Sequence, residues 1–280
     1  MDLSSRISDP GTRWVVDDVA SLATRIRLGA VQMVAPQGFG YLGQALSAAE
    51  QVASVFGHAR PGLDRLVCSP GHYIVAPFAA AVELGLMAEA DLGRYGQDGS
   101  PIEAIGTERS PVVDYTCGSL GQGLSAALGL ALGDRFHGSA ARTYALLSDG
   151  EMQEGQLWEA VLFAAHHRLS AVTALLDANN SQVDGPIDTI TTLDPITDKW
   201  ESFGWRAIDL DGHDAAAIGA ALDEAARTTD RPTVLVCRTS TVHGLDCLPD
   251  DADGHFIKLP PDLAAAAVAE LTDRLEHQGA

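Results

Sequence analysis

The chain is poor in the residues that several classes of protein require. Lysine and arginine number 18 against 38 aspartates and glutamates, so the formal net charge is −20. This acidic excess disfavours binding to nucleic-acid phosphates or to an anionic membrane surface. No apolar run approaches the roughly 18–20 residues of a membrane span. The cysteines are few and have neither disulfide nor zinc-motif spacing; they are Cys68, Cys117, Cys237 and Cys247.

Reduced cysteines are typical of the cytoplasm, where disulfides are rare. The amino end also lacks the basic segment and apolar stretch of a secretory signal. The sequence therefore predicts a cytoplasmic protein that binds neither nucleic acid nor membrane.

Apolar residues nonetheless make up 46% of the 280 residues, enough to bury a large core. Short strands that are apolar throughout alternate with single helices, which indicates a parallel sheet covered on both faces. We predict an α/β fold with a doubly wound parallel sheet, forming one domain over residues 1–280 with a short N-terminal arm. The predicted strands are 66–68, 143–147, 171–176, 205–210 and 233–238. The predicted helices are 17–33, 46–56, one ending at 86, one ending at 134, 156–168, 215–228 and a closing helix at 262–277.

Two polar side chains follow neighbouring strands of this predicted sheet. Asp149 and Asn179 are 30 residues apart, the length of one strand–helix–strand unit. Both should therefore emerge at the carboxyl edge of the sheet, where open α/β sheets bind ligands. Asp and Asn oxygens suit Mg²⁺ or Ca²⁺, and Gly150 lets the chain approach a phosphate at the start of the next helix. An Asp-Gly pair alone indicates only a turn; the matched asparagine favours a metal-bridged diphosphate site.

The surrounding residues resemble a known family. The runs SDGEMQEGQLWEA (148–160) and DANNSQVDG (177–185) are similar to the thiamine-diphosphate motif of GDG, about 30 residues and N. The segments EMQEG, WEA, FAAHH and QVDG resemble transketolases in particular, and the likeness extends from about 31 to 238. The resemblance implies a thiamine-diphosphate-binding fold, the cofactor thiamine diphosphate, and Mg²⁺, with Ca²⁺ as the alternative ion.

The resemblance also assigns roles to individual positions. It implies that Asp149, Asn179 and the main-chain carbonyl of Ser181 hold the metal ion. Three residues match catalytic positions. His72 lies beside the cofactor phosphate and the donor, and His255 lies on the donor side. Glu154 matches an acidic residue near the subunit interface that helps link two active sites. By contrast, His213 is predicted to belong to a turn. The remaining cofactor-binding positions implied are Gly150 through its backbone, Glu151 next to it, Val183 under the thiazolium ring, and Gly118 and Leu120 in a loop beside the cofactor.

Transketolases are roughly twice as long and contain a second domain that grips the aminopyrimidine ring with a glutamate. No second large domain fits in this chain. The resemblance therefore implies the diphosphate-binding subunit of a split transketolase, active only with a separate pyrimidine-binding subunit, as an α2β2 heterotetramer with a ketose-type donor.

Two positions depart from the family. Tyr41 stands where transketolases have a substrate-contacting histidine, and Ile105 where they have another. Since Ile105 cannot donate a hydrogen bond, we expect altered substrates, with an unusual acceptor such as a modified sugar or a carrier-bound acyl group. Two alternatives stay open: the α subunit of a thiamine-dependent 2-oxo-acid decarboxylase or dehydrogenase, and a non-catalytic cofactor-binding partner.

Overall fold

A parallel sheet forms the centre of the computed structural model, which describes residues 13–16, 18–249, 252 and 254–278. The central strands are β2 (Arg65–Pro70), β3 (Tyr115–Cys117), β4 (Thr143–Ser148), β5 (Val172–Ala178), β8 (Arg206–Asp211) and β9 (Thr233–Arg238). They lie in the order β3-β2-β4-β5-β9-β8, and each adjacent pair is parallel. Two short antiparallel ladders join β1 (Phe39–Gly40) to β10 (Ile257–Lys258), and β6 (Ser181–Gln182) to β7 (Gly185–Pro186).

Helices cover both faces of this sheet, so the predicted doubly wound α/β fold is confirmed. The helices are α1 (Val19–Val34), α2 (Leu42–His58), α3 (Val75–Glu83), α4 (Gly123–Phe136), α5 (Gly155–His166), α6 (Ile187–Ile190), α7 (Ile196–Ser202), α8 (Ala215–Arg227) and α9 (Pro261–Gln278). Among the described residues, no helix combines the length and apolar character needed to cross a bilayer.

Two apolar cores flank the sheet because successive strand residues point to opposite faces. Leu146 and Leu175 face a core built with α1, α2, α3, α8 and α9. Leu147 and Leu176 face a second core built with α4, α5 and α7. Every residue of β4 and β5 is buried, as a strand covered on both faces requires.

The predicted strands are all present, but several elements differ from the prediction. Strand β3 was not predicted, because only three residues separate a polar loop from the glycine loop at 118–123. Helix α2 begins at Leu42 rather than 46, and α3 ends at Glu83 rather than 86. Helices α6 and α7 were also missed, since four and seven residues are too few for a clear helical period. The predicted N-terminal arm lies outside the described residues.

A buried ion pair ties the first two helices together. Arg27 of α1 donates to both carboxylate oxygens of Glu50 of α2, at 2.7 and 2.6 Å, and also to the main-chain oxygen of Leu46. Burial alone would raise the pKa of Glu50, but hydrogen bonds from His213 and Arg27 outweigh it and lower the pKa from 4.5 to about 2. Glu50 therefore stays ionised inside the protein at neutral pH.

Replacing Arg27 by methionine should destabilise the fold strongly, because it leaves the buried Glu50 charge without its cation. We expect a loss of about 3–5 kcal/mol in the free energy of unfolding at pH 7, measured by urea denaturation. Since the folded pKa of Glu50 is depressed, the stabilisation is complete above pH 4.5 and is lost as the pH falls towards 2. The difference in the free energy of unfolding between the wild type and Arg27→Met should therefore shrink as the pH falls from 4.5 towards 2.

The matched control is Arg25→Met on the same helix. Arg25 pairs with Glu83 at 3.3 Å, but both side chains are partly exposed. That substitution should cost less than about 1 kcal/mol. Equal losses in the two variants would contradict a stabilising role for the buried pair.

Candidate functional site

The carboxyl edge of the sheet brings the two predicted metal-ligand loops together. Ser148 at the end of β4 is in register with Asp177 near the end of β5. Asp149 accepts hydrogen bonds from the main-chain N–H groups of Asn180 at 2.7 Å and Gly150 at 2.9 Å. The side-chain oxygen of Asn179 accepts from the Ser181 N–H at 2.9 Å. The two loops are therefore fixed to each other through Asp149.

The electrostatics of this edge favour a bound cation. Asp149 is 3% exposed and Asp177 is fully buried. Burial, followed by the negative charge of Asp177, raises the pKa of Asp149 from 3.8 to about 8. A divalent cation would compensate these carboxylates, and the donor set of carboxylate, amide and main-chain oxygens is of the hard type that Mg²⁺ and Ca²⁺ prefer. The residues present thus fit the implied metal ion.

Asp177 organises the site, and sequence reasoning missed it. Its carboxylate accepts hydrogen bonds from five side chains, at 2.5 to 2.9 Å: Ser47 and Gln51 of α2, Tyr73 after β2, Asn179 after β5 and Thr239 after β9. Asn179 also donates to the Tyr73 hydroxyl at 2.9 Å, which fixes the orientation of its amide. The sequence feature that could have indicated this role is an aspartate within the mostly apolar strand VTALLDA.

Glu151, which is predicted to bind the cofactor, makes several hydrogen bonds within the protein. It is fully buried and accepts from the Ser69 hydroxyl at 2.5 Å, the Gly121 N–H at 2.8 Å and the Ser148 N–H at 3.1 Å. Its carboxylate is thus used inside the protein, where it joins the end of β4 to the loop before α4. These contacts give Glu151 a positioning role, and its contact with the cofactor stays a prediction.

The glycine loop at 118–123 packs tightly against this arrangement. Gly121 has φ +81° and lies so close to Glu154 that a Cβ there would approach the Glu154 Cβ to 2.7 Å. Gly118 lies exposed at the edge and Leu120 is half-buried. Glu154, immediately before α5, is exposed, and its role at a subunit interface stays a prediction.

The two predicted catalytic histidines meet, although they are 183 positions apart in the sequence. Their ring centroids are 5.3 Å apart, and Tyr41 contacts both at 5.1 Å (His72) and 5.9 Å (His255). The amide of Gln44 lies 3.1 Å from Nδ1 of His255 and donates to its main-chain oxygen at 2.9 Å. Burial, with a smaller effect from His255, lowers the pKa of His72 to about 3, so this imidazole is neutral at pH 7.

Val183 lies at the tip of the β6–β7 hairpin, two residues beyond Ser181. Its side chain is 76% exposed, an unusual position for an apolar residue beside a polar site. A hairpin that presents a valine next to the metal-ligand loop is suited to contact an apolar ring. The predicted contact with the thiazolium ring stays a prediction.

A second group of metal-ligand residues includes Glu50 of α2, and two of its three members already have protein partners. Glu50, His213 and His243 place ligand atoms within 4.8 Å of one another. Glu50 is bonded to Arg27, while His213 contacts Glu50 through Nδ1 at 3.2 Å and accepts from the Ser240 N–H through Nε2 at 2.9 Å. His213 lies in a turn as predicted, where it also anchors the segment after β9.

Comparison with known proteins identifies the family. The family described as "Transketolase, thiamine diphosphate binding domain" matches residues 19–275. A transketolase family protein of Sinorhizobium fredii is 36% identical over 257 residues, covering 88% of this chain and 92% of that protein. The 6-deoxy-6-sulfo-D-fructose transketolase subunit SqwG of a Clostridium species is 34% identical over 273 residues, covering 94% of this chain and 98% of that protein.

Solved structures confirm the fold. The crystal structure of transketolase from Campylobacter jejuni superposes with a TM-score of 0.83 at 23% identity. The match covers 92% of this chain but 43% of that one, so the chain spans less than half of that transketolase. The family match and the two relatives confirm the resemblance drawn from the sequence: the chain belongs to the transketolase family and carries its thiamine-diphosphate-binding domain.

Proposed function

We propose that this chain is the diphosphate-binding subunit of a two-component, thiamine-diphosphate-dependent transketolase that transfers a two-carbon ketol unit. The observation that carries the proposal is the pair of loops joined by Asp149 at the carboxyl edge of the sheet, in a chain matched by the family's cofactor-binding domain. The relative SqwG, which this chain matches over 98% of its length, is itself named a transketolase subunit. The family match favours this function over a 2-oxo-acid decarboxylase.

In the proposed site, Asp149, Asn179 and the main-chain carbonyl of Ser181 hold Mg²⁺, with Ca²⁺ as a second possible ion. When bound, thiamine diphosphate supplies the electron sink on which the ketol unit is carried. Gly150 begins the turn at Gly150–Gln153 directly after Asp149, where the absence of a side chain lets a phosphate approach the backbone. Neutral His72 can donate a hydrogen bond to the donor or exchange a proton with its hydroxyl groups, and the His255 ring lies beside it.

A separate subunit completes the enzyme in this proposal. The relative SqwG, covered over 98% of its length, is named a subunit, which supports the same arrangement for this chain. We propose a partner that carries the pyrimidine-binding domain and its glutamate, in a cytoplasmic α2β2 heterotetramer. In this arrangement the exposed Glu154 lies at a subunit contact, and the exposed Val183 lies at the cofactor ring. This chain itself forms one cofactor-binding domain.

The two-component proposal is tested by reconstitution. The purified chain alone should transfer no ketol unit with thiamine diphosphate and Mg²⁺, because removal of the thiazolium proton needs the partner's glutamate. Addition of the partner subunit should restore transfer, measured as ketose formation by chromatography. Transfer by the single chain, or decarboxylation of simple 2-oxo acids in preference to ketol transfer by the pair, would contradict the proposal.

The metal site is tested with Asp149→Ala in the reconstituted pair. Loss of a charged ligand should weaken Mg²⁺-dependent binding of thiamine diphosphate by more than about 100-fold, measured by titration calorimetry. Asp198→Ala, which removes an exposed aspartate on α7, is the control and should bind as the wild type does. Equal binding by the Asp149 variant and the control, with both folded by circular dichroism, would refute the assignment.

A further inference from the structure

A continuous line of rings leads from His72 to the surface. Tyr41 contacts His72 at 5.1 Å and Phe256 at 5.2 Å, and Phe256 contacts Phe39 at 5.4 Å, as centroid separations. We call Phe39, Tyr41 and Phe256 the aromatic wall. It begins beside the two histidines and ends at Phe39, which is 53% exposed. The aromatic wall is therefore a continuous path of ring contacts from the candidate site to the surface.

The outer end of the aromatic wall opens into a groove of about 440 Å³. The short ladder of β1 and β10 shapes it, with Phe39 opposite Lys258 and Gly40 opposite Ile257. The groove is lined by Gly38, Phe39, Phe256, Lys258 and Pro260. Phe39 and Phe256 thus belong both to the groove and to the line of rings, so ring contacts connect the groove to Tyr41 and His72.

A second apolar side chain lies at the inner end. Ile105 is 41% exposed, and one of its methyl carbons lies 3.4 Å from where a Cβ would stand on Gly118. The main chain of Gly106 bonds to Gly71, next to His72, at 2.8 Å. The exposed side chain of Ile105 thus lies between the turn that carries His72 and the glycine loop at 118–123.

The chemistry of this path differs between its two ends. The inner end offers the hydroxyl of Tyr41 and the imidazoles, which suit the small polar ketol unit. Beyond Tyr41 the lining is mostly apolar, with Lys258 as the charged side chain of the groove. Each sugar hydroxyl placed there would lose hydrogen bonds to water without gaining a partner. An aromatic or aliphatic group would instead gain ring contacts and bury apolar surface.

We propose that the aromatic wall receives the aldehyde portion of the substrate, and that this portion is aromatic or aliphatic rather than a phosphorylated sugar. The assignment rests on the proposed ketol transfer and adds a substrate class to it. Because the reaction runs through the same site in both directions, the groove serves the aldehyde whether it leaves a ketose donor or enters as the acceptor.

Hydroxypyruvate is a suitable donor for the test because it carries no aldehyde portion. Its bond between C2 and the carboxylate breaks and releases carbon dioxide. C2 then forms a bond to the aldehyde carbon, and the aldehyde oxygen takes up one proton. Hydroxypyruvate, a proton and an aldehyde RCHO thus give carbon dioxide and the ketose HOCH₂–CO–CHOH–R, with atoms and charge balanced.

The experiment measures kcat/KM of the reconstituted pair for three acceptors: phenylacetaldehyde, D-ribose 5-phosphate and glycolaldehyde, the last too small to reach Phe39. The wild type should prefer phenylacetaldehyde to ribose 5-phosphate by at least about tenfold. In Phe39→Ala, the ratio of kcat/KM for phenylacetaldehyde over glycolaldehyde should fall about tenfold. Phe136→Ala, which removes an equally large ring that is 82% exposed on α4, is the matched control and should keep the wild-type ratio.

The outcomes separate the two proposals. Transfer to glycolaldehyde with equal or better use of ribose 5-phosphate overturns the acceptor class alone. A Phe39→Ala variant that keeps the ratio but dissociates from its partner subunit in size-exclusion chromatography makes the groove a subunit contact and also overturns it. Absence of transfer to every acceptor, glycolaldehyde included, overturns ketol transfer itself and the acceptor class with it.

Discussion

The buried carboxylate of Asp177 is the interaction on which the candidate site depends. It receives five side-chain hydrogen bonds from four parts of the chain: α2, the turn after β2, the end of β5 and the segment after β9. A charge without these donors would cost several kcal/mol in such a position. The same contacts that stabilise the charge fix Tyr73 and Asn179, and therefore the loop that follows β5. The Asp177 carboxylate thus contributes both to the stability of the fold and to the geometry of the site.

Asp177 also sets the electrostatics of the site. It lies beside a second buried carboxylate, Asp149, whose pKa is raised by burial first and by Asp177 second. This local accumulation of negative charge makes a divalent cation the natural complement, and the cation in turn makes a diphosphate acceptable in a chain of net charge −20. The overall charge of the protein is therefore a poor guide to the ligand, while two buried aspartates at one sheet edge are a good one.

The sequence predicted those features that depend on local patterns. Apolar strands at regular spacing gave the doubly wound sheet, and the 30-residue separation placed Asp149 and Asn179 at one edge. It could not predict contacts made by packing between distant segments. The partners of Asp177 come from positions 47 to 239, and the bond between Gln44 and the main chain of His255 spans 211 positions. The internal hydrogen bonds of Glu151 were likewise not predicted, because burial has no signature in a polar run such as DGEMQEG.

The aromatic wall shows the same limit. Tyr41 and Ile105 stood out in the sequence as single departures, but their surroundings could not be read from it. Phe39 and Phe256 are 217 positions apart and meet only because β1 pairs with β10. That pairing turns two separate phenylalanines into one apolar surface that reaches Tyr41.

The central claim is that the edge organised by Asp177 holds the metal ion and diphosphate of the cofactor. It is tested most directly by crystals of the reconstituted pair grown with thiamine diphosphate and Mn²⁺ in place of Mg²⁺, because anomalous scattering locates the manganese without reference to the fold. The account predicts one strong peak between Asp149, Asn179 and the carbonyl of Ser181. A peak at Glu50, His213 and His243, or cofactor bound with no metal at Asp149, would contradict it.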